Sequence, residues 1–176
     1  FASEKLSEIA LPENKIKSWD RLSKVIKSSG LVGTLNIEGL ESKLFPLDLL
    51  SAHTLTHALQ KYGQNERSLF SFIDSKDLKE FADEGRPFTV ADVFDYLRKN
   101  LSAELQDGEK NPHKAQWIAA SKAIEKAEGM LQEKSDVAIV VLKTIALVNI
   151  FGREGGLLDL EVIASYVKEL YGKAAV

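Results

Sequence analysis

Phe45–Ile73 reads FPLDLLSAHTLTHALQKYGQNERSLFSFI, and the folding of this stretch decides the architecture of the chain. It carries an apolar helix over Leu47 to Tyr62, closed by Gly63. A polar knot, Gly63-Gln64-Asn65-Glu66-Arg67-Ser68, follows. Asn65 is suited to cap a second short helix with Leu69, Phe70, Phe72 and Ile73 on it. The knot sets ionic and amide groups between two segments that have to be buried, and no other corner of the sequence is so polar.

Outward from this stretch, helical punctuation dominates. On the N-terminal side, Ile16, Trp19, Leu22, Val25 and Ile26 recur at three- and four-residue spacings, which predicts a helix over 14–29 stopped by Gly30. Leu31 to Leu40 alternates apolar with small or polar residues, and a short strand and an extended connector fit it equally. On the C-terminal side, Ser75 caps a helix over Lys76 to Ala82. Thr89 and Asp92 form a capping box that opens a helix with Val90, Val93, Phe94 and Leu97, reaching about Leu105. Asn111-Pro112 reads as a cap with proline at the first helical position. The helix behind it buries Trp117, Ile118, Ala120, Ile124 and Ala127 and meets Gly129.

After Ser135-Asp136, an apolar run extends to Phe151, too long for an ordinary strand. Its only polar positions are Lys143, Thr144 and Asn149, so nearly every face should be covered by protein. Asp159 caps a last amphipathic helix with Val162, Ile163, Tyr166, Val167 and Leu170, ended by Gly172. The expected fold is mainly α. It is a multi-helix bundle with a C-terminal helix-turn-helix or winged-helix-like unit, with one short strand or β-hairpin allowed. Three segments are expected: 1–43 as a helical segment and connector, 44–133 as a lid-like bundle, and 134–176 as the winged-helix-like unit.

Bulk properties narrow the function classes. A chain of 176 residues can bury a real core. Its net charge of -3 excludes a globally basic nucleic-acid binder but leaves room for a local basic patch. The absence of cysteine removes disulfides, thiolate nucleophiles and cysteine-type zinc sites, and fits a reducing, cytoplasmic setting. No apolar run approaches the roughly 18 residues of a membrane span, so no membrane partner is expected. The chain opens on Phe1 with neither the basic start nor the apolar stretch of a signal peptide, and reads as a piece of a longer protein.

No complete catalytic constellation is visible. There is no phosphate-cradling GxxxxGK[ST] loop, and Gly172-Lys173 comes after a helix and precedes alanine. His53 and His57 lie four apart, as zinc ligands do in HExxH, but Leu55 and Thr56 stand where the water-activating Glu would be. A structural or surface histidine pair is the plainer reading, and no metal site is expected. Asn65, Glu66 and Arg67 admit two roles. In one they are a helix cap, a dipole-matched acid and an ion-paired base. In the other Arg67 reaches a phosphate held by another domain, a task suited to its planar, permanently charged fork. Lys17, Arg21 and Lys24, with Lys15 and Lys27, crowd one helix against a single Asp20. They form either a nucleic-acid-facing stripe or the wet side of an amphipathic helix.

The block QNERSLFSFI after LQKYG resembles a segment that follows the nucleotide-binding core in large multidomain P-loop ATPases of prokaryotic defence and related gene clusters. LKTIALVNIFG and LLDLEVIASYV resemble a helical unit further along the same proteins. The likeness covers 45–73 and 137–171 well and the rest loosely. It implies that Gln64, Asn65, Glu66, Arg67 and Ser68 lie closest to the nucleotide domain, and that the chain serves as lid and accessory helices. The phosphate loop and acidic metal residue of such a core are absent here. ATP and Mg²⁺ are therefore implied only for a parent protein, whose core domain would be the partner, with nucleic acid as the rival partner.

Overall fold

Hydrophobic spacing and end caps produce ten α-helices in the computed structural model, which describes residues 11–33, 39–63, 66–109, 111–131 and 135–172. After a 3₁₀ turn at Glu13–Lys15, they are α1 (Ile16–Ser29), α2 (Leu40–Lys43), α3 (Leu49–Tyr62), α4 (Glu66–Ile73) and α5 (Lys76–Asp83). The second half holds α6 (Val90–Asn100), α7 (Ser102–Gln106), α8 (Lys114–Leu131), α9 (Ser135–Phe151) and α10 (Leu160–Tyr171). No strand occurs among the described residues. A sheet-like feature among them is an isolated parallel bridge of Leu47 with Phe88, where Phe88 N donates to Pro46 O at 2.8 Å.

The mainly helical expectation holds. α3 is the central helix, burying Leu50, Leu55, Ala58 and Leu59 against α6 and α9. α8 lies along α9, and α10 lies along α1. One cluster of buried side chains includes Leu22 and Ile26 of α1, Phe72 of α4, Phe94 of α6 and Tyr166 of α10. α1 ends where Gly30 adopts φ +70°, a left-handed conformation that a side chain resists. The Thr89–Asp92 capping box forms in full, and Ser75 and Asp159 cap α5 and α10.

Several expectations need correction. The helix from Val90 does not run on to Leu105. It breaks at Leu101 (φ −124°, ψ 29°), a separate short helix α7 ends at Gln106, and Asn111 Nδ2 satisfies the Leu105 carbonyl near that end at 2.8 Å. Asn111 sits before a short turn and not directly at a helix cap, since α8 starts at Lys114. It is held buried by Tyr62 Oη, which donates to its Oδ1 at 2.9 Å. Gly129 does not end α8, because its cost of about 1 kcal/mol relative to alanine is outweighed by the packing of Ile124 and Ala127. Ile118 is 46% exposed, one residue round the helix from buried Trp117.

α9 is not covered on nearly every face. Thr144, Leu147, Val148 and Phe151 are buried, whereas Val140, Val141 and Ile145 are half-buried and Val137 is exposed. Of the 31–40 segment, residues 34–38 lie outside the described residues, and Leu40 already begins α2. No described helix is long and apolar enough to cross a membrane.

The turn after α9 folds back onto the end of α1. Arg153 N donates to Leu31 O at 3.0 Å, and Leu157 N donates to Ser29 O at 2.8 Å. A Cβ on Gly156 would lie 2.8 Å from Leu31 Cα and 2.9 Å from Gly30 O, too close to backbone for side-chain adjustment alone. Gly156→Ala is therefore expected to lower stability by about 1–3 kcal/mol through overpacking. A urea midpoint equal to that of the parent chain would show that this turn is free to shift.

Candidate functional site

α3 repeats basic and amide side chains on one face: His53, His57 and Lys61 are four residues apart and stack along the helix. Opposite them α9 ends at Phe151, where the last carbonyls of a helix have no partner within it. His53 Nε2 lies 3.1 Å from Phe151 O. A carbonyl only accepts, so His53 carries its proton on Nε2. The following turn brings Arg153 to the same side. The result is an open cleft of about 570 Å³ lined by His53, His57, Gln60, Lys61 and Arg153, floored by Ile150 and Phe151. Among the described residues no carboxylate lines it.

The two imidazoles meet edge to face, with centroids 4.3 Å apart. Burial, followed by the neighbouring His57, holds His53 below its ordinary value of 6.5. At the lower end of the stripe, Lys61 Nζ lies 2.9 Å from His113 Nε2. Burial and then the Lys61 charge push His113 below 6.5 as well, so its Nε2 lone pair accepts from the ammonium. No group of three or more His, Asp or Glu side chains converges on a metal-sized site among the described residues. The geometry suits an anion: the exposed cations Lys61 and Arg153, the Gln60 amide, and the His53 imidazole, whose lowered pKa an approaching anion raises.

The depressed histidines set the sign of a pH effect. A group whose folded pKa lies below its unfolded value contributes stability that is intact above the unfolded value and lost as protons bind the unfolded chain first. The melting temperature is thus expected to fall as pH drops below about 6.5, with a shallower fall in His53→Gln, which retains a donor for Phe151 O. Parallel melting curves for the two chains between about pH 7.5 and 5.5 would exclude His53 as a source.

Gln64 and Asn65, and the side chains of Glu66 and Arg67, lie outside the described residues; the backbone of Glu66 and Arg67 forms the first turn of α4. Lys17, Arg21 and Lys24 are exposed on α1 and do not line the cleft. Arg21 spends its fork on Glu169 of α10, with Nε to Oε1 at 3.0 Å and Nη2 to Oε2 at 2.9 Å. Lys27 pairs with Glu41. Gln60, Lys61 and Arg153 were not singled out from sequence. The four-residue spacing from His53 through His57 is the sequence signal for Lys61, Gln60 lies three residues past His57, and only folding brings Arg153 alongside.

A separate polar cluster is buried between α3, α6 and α10. Asp48 caps α3, accepting from Leu50 N at 2.8 Å, Ser51 N at 3.0 Å and Ser51 Oγ at 2.5 Å. Tyr166 Oη donates to Asp48 Oδ2 at 2.7 Å and accepts from Val90 N at 3.2 Å. Burial raises both groups, and the Asp48 charge adds to the rise of the phenol, which stays protonated. Nearby, Tyr171 Oη lies 3.1 Å from Thr89 Oγ1 and is pushed up to about 12, chiefly by burial. Asp48 closes the start of α3, while Tyr166 Oη and Tyr171 Oη tie α10 to the starts of α3 and α6. No family model, curated protein or solved structure gives a significant match to this chain.

Proposed function

We propose that this chain is a non-catalytic helical lid or regulatory module of a larger P-loop ATPase, which presents the α3 cleft to phosphate-type anions. One observation carries this reading: the cleft has cations and imidazoles on its walls and no carboxylate among the described residues, in a chain whose net charge is negative. The helix that builds it ends at Tyr62, and the chain passes directly into the 64–68 block that the ATPase resemblance marks as nearest the nucleotide. In sequence Arg67 follows six residues after Lys61 of the cleft, and both are assigned in this reading to a phosphate held by a partner domain. ATP and Mg²⁺ would belong to that core, and the nucleotide state would be felt through different contacts in its two forms. α9, its turn and α10 keep the order of a helix-turn-helix, used for packing, since Tyr166 and Val167 are buried.

The test is binding of inorganic tripolyphosphate to the full chain, followed by amide and imidazole chemical shifts. Perturbations grouped on His53, His57, Lys61 and Arg153, stronger at lower pH, are expected. Shifts confined to Lys17 and Lys24 would favour nucleic-acid contacts through α1, and no shifts at low salt would end the proposal.

A further inference from the structure

A second groove lies between α8 and the α6–α7 corner, about 530 Å³ in volume and built from residues that the α3 cleft does not use. Its floor is apolar, formed by Leu105, Trp117 and Ile118, the last 46% exposed. Three cations, Arg98, Lys114 and Lys122, stand along both walls against one acid, Glu125. The groove is therefore locally positive in a chain of net charge -3. From Lys114 to Glu125 it follows α8 for about 16 Å, the length of roughly three helical turns.

We propose that this groove docks an acidic, amphipathic segment of a partner protein, with one large apolar side chain seated on Ile118 and flanking carboxylates meeting Arg98, Lys114 and Lys122. Charge selects the class of partner: a cationic segment would face three like charges, and a purely apolar one would leave them without partners. Nucleic acid fits less well. Among the described residues, the one aromatic ring on the floor is Trp117, which is 5% exposed, lies against Phe94 at 5.1 Å between centroids, and directs Nε1 to Tyr62 Oη at 3.4 Å. It offers no face on which a base could stack. The apolar floor, in turn, gives a peptide side chain a contact that a sugar-phosphate strand lacks. Ile118 at the centre and cations at the rim match the core-and-rim plan of protein interfaces.

The experiment is fluorescence anisotropy at low ionic strength with a labelled peptide of about 12 residues, helical by design. It has Leu on one face and Glu on the other. A Gln-for-Glu peptide, an oligothymidylate strand and vesicles of acidic lipid serve as competitors. The acidic peptide is expected to bind, to weaken with added salt, and to lose about tenfold in affinity with each of Lys122→Glu and Ile118→Ser. Both positions are exposed, so both variants are expected to keep the parental circular dichroism and melting curve. The proposal is overturned if the acidic peptide does not bind, if both variants bind it as the parent does, or if the oligonucleotide or the vesicles bind more tightly than the peptide.

Discussion

Tyr166→Phe is expected to destabilise the fold by about 3 kcal/mol, because one hydroxyl serves two buried partners. Tyr166 Oη donates to Asp48 Oδ2 at 2.7 Å and accepts from Val90 N at 3.2 Å. Removing it withdraws a donor from a buried carboxylate and orphans a backbone N–H in the first turn of α6. A hydrogen bond to a charged group contributes about 1.5–3 kcal/mol, and a buried unsatisfied donor costs about 1–3 kcal/mol. The ring itself stays packed, so the loss is electrostatic and not a cavity. Burial raises the Asp48 pKa in the parent chain, and loss of the phenol raises it further. The defect should therefore be full at neutral pH and shrink as pH falls toward the carboxylate's range, where Asp48 is neutral with or without the phenol. Urea titration at two pH values measures this. A difference below about 1 kcal/mol at pH 7 would mean that water replaces the hydroxyl.

The double variant Lys61→Ala, Arg153→Ala is expected to weaken tripolyphosphate binding about a hundredfold. Each cation is worth roughly tenfold, or about 1.4 kcal/mol, at a partly hydrated site. Both side chains are exposed, so circular dichroism and melting should match the parent chain. Lys61→Arg with Arg153→Lys keeps both charges and should restore most of the affinity. Affinity in the parent chain should rise as pH falls, because an anion offsets the burial that depresses His53. Equal affinity in the double alanine variant and its parent would place the anion elsewhere and remove the support for the proposed lid function.

How far the architecture could be read in advance depended on the range of the forces involved. Gly30, Ser75, Asp159 and the Thr89–Asp92 box act within one helical turn, and each marked its boundary correctly. Errors arose where a distant partner settled the outcome. Gly129 stays helical because the turns before it pack through Ile124 and Ala127, and Asn111 takes over the Leu105 carbonyl at the end of α7. Ile118 belongs to an apolar set by composition, yet the rotation of α8 about buried Trp117 leaves it outside.

Local rules of spacing and capping, acting between residues three or four apart, determined from sequence alone that the chain is mainly helical and where most helices begin and end. The same spacing put His53, His57 and Lys61 on one side of α3. Tertiary structure alone decided what that side faces: the fold carries the end of α9 and Arg153 to it across about a hundred residues of chain, seats Tyr166 on Asp48, and commits Arg21 to Glu169. Such juxtapositions depend on how whole helices pack, and packing energy is shared among many side chains at once, so no local pattern records it.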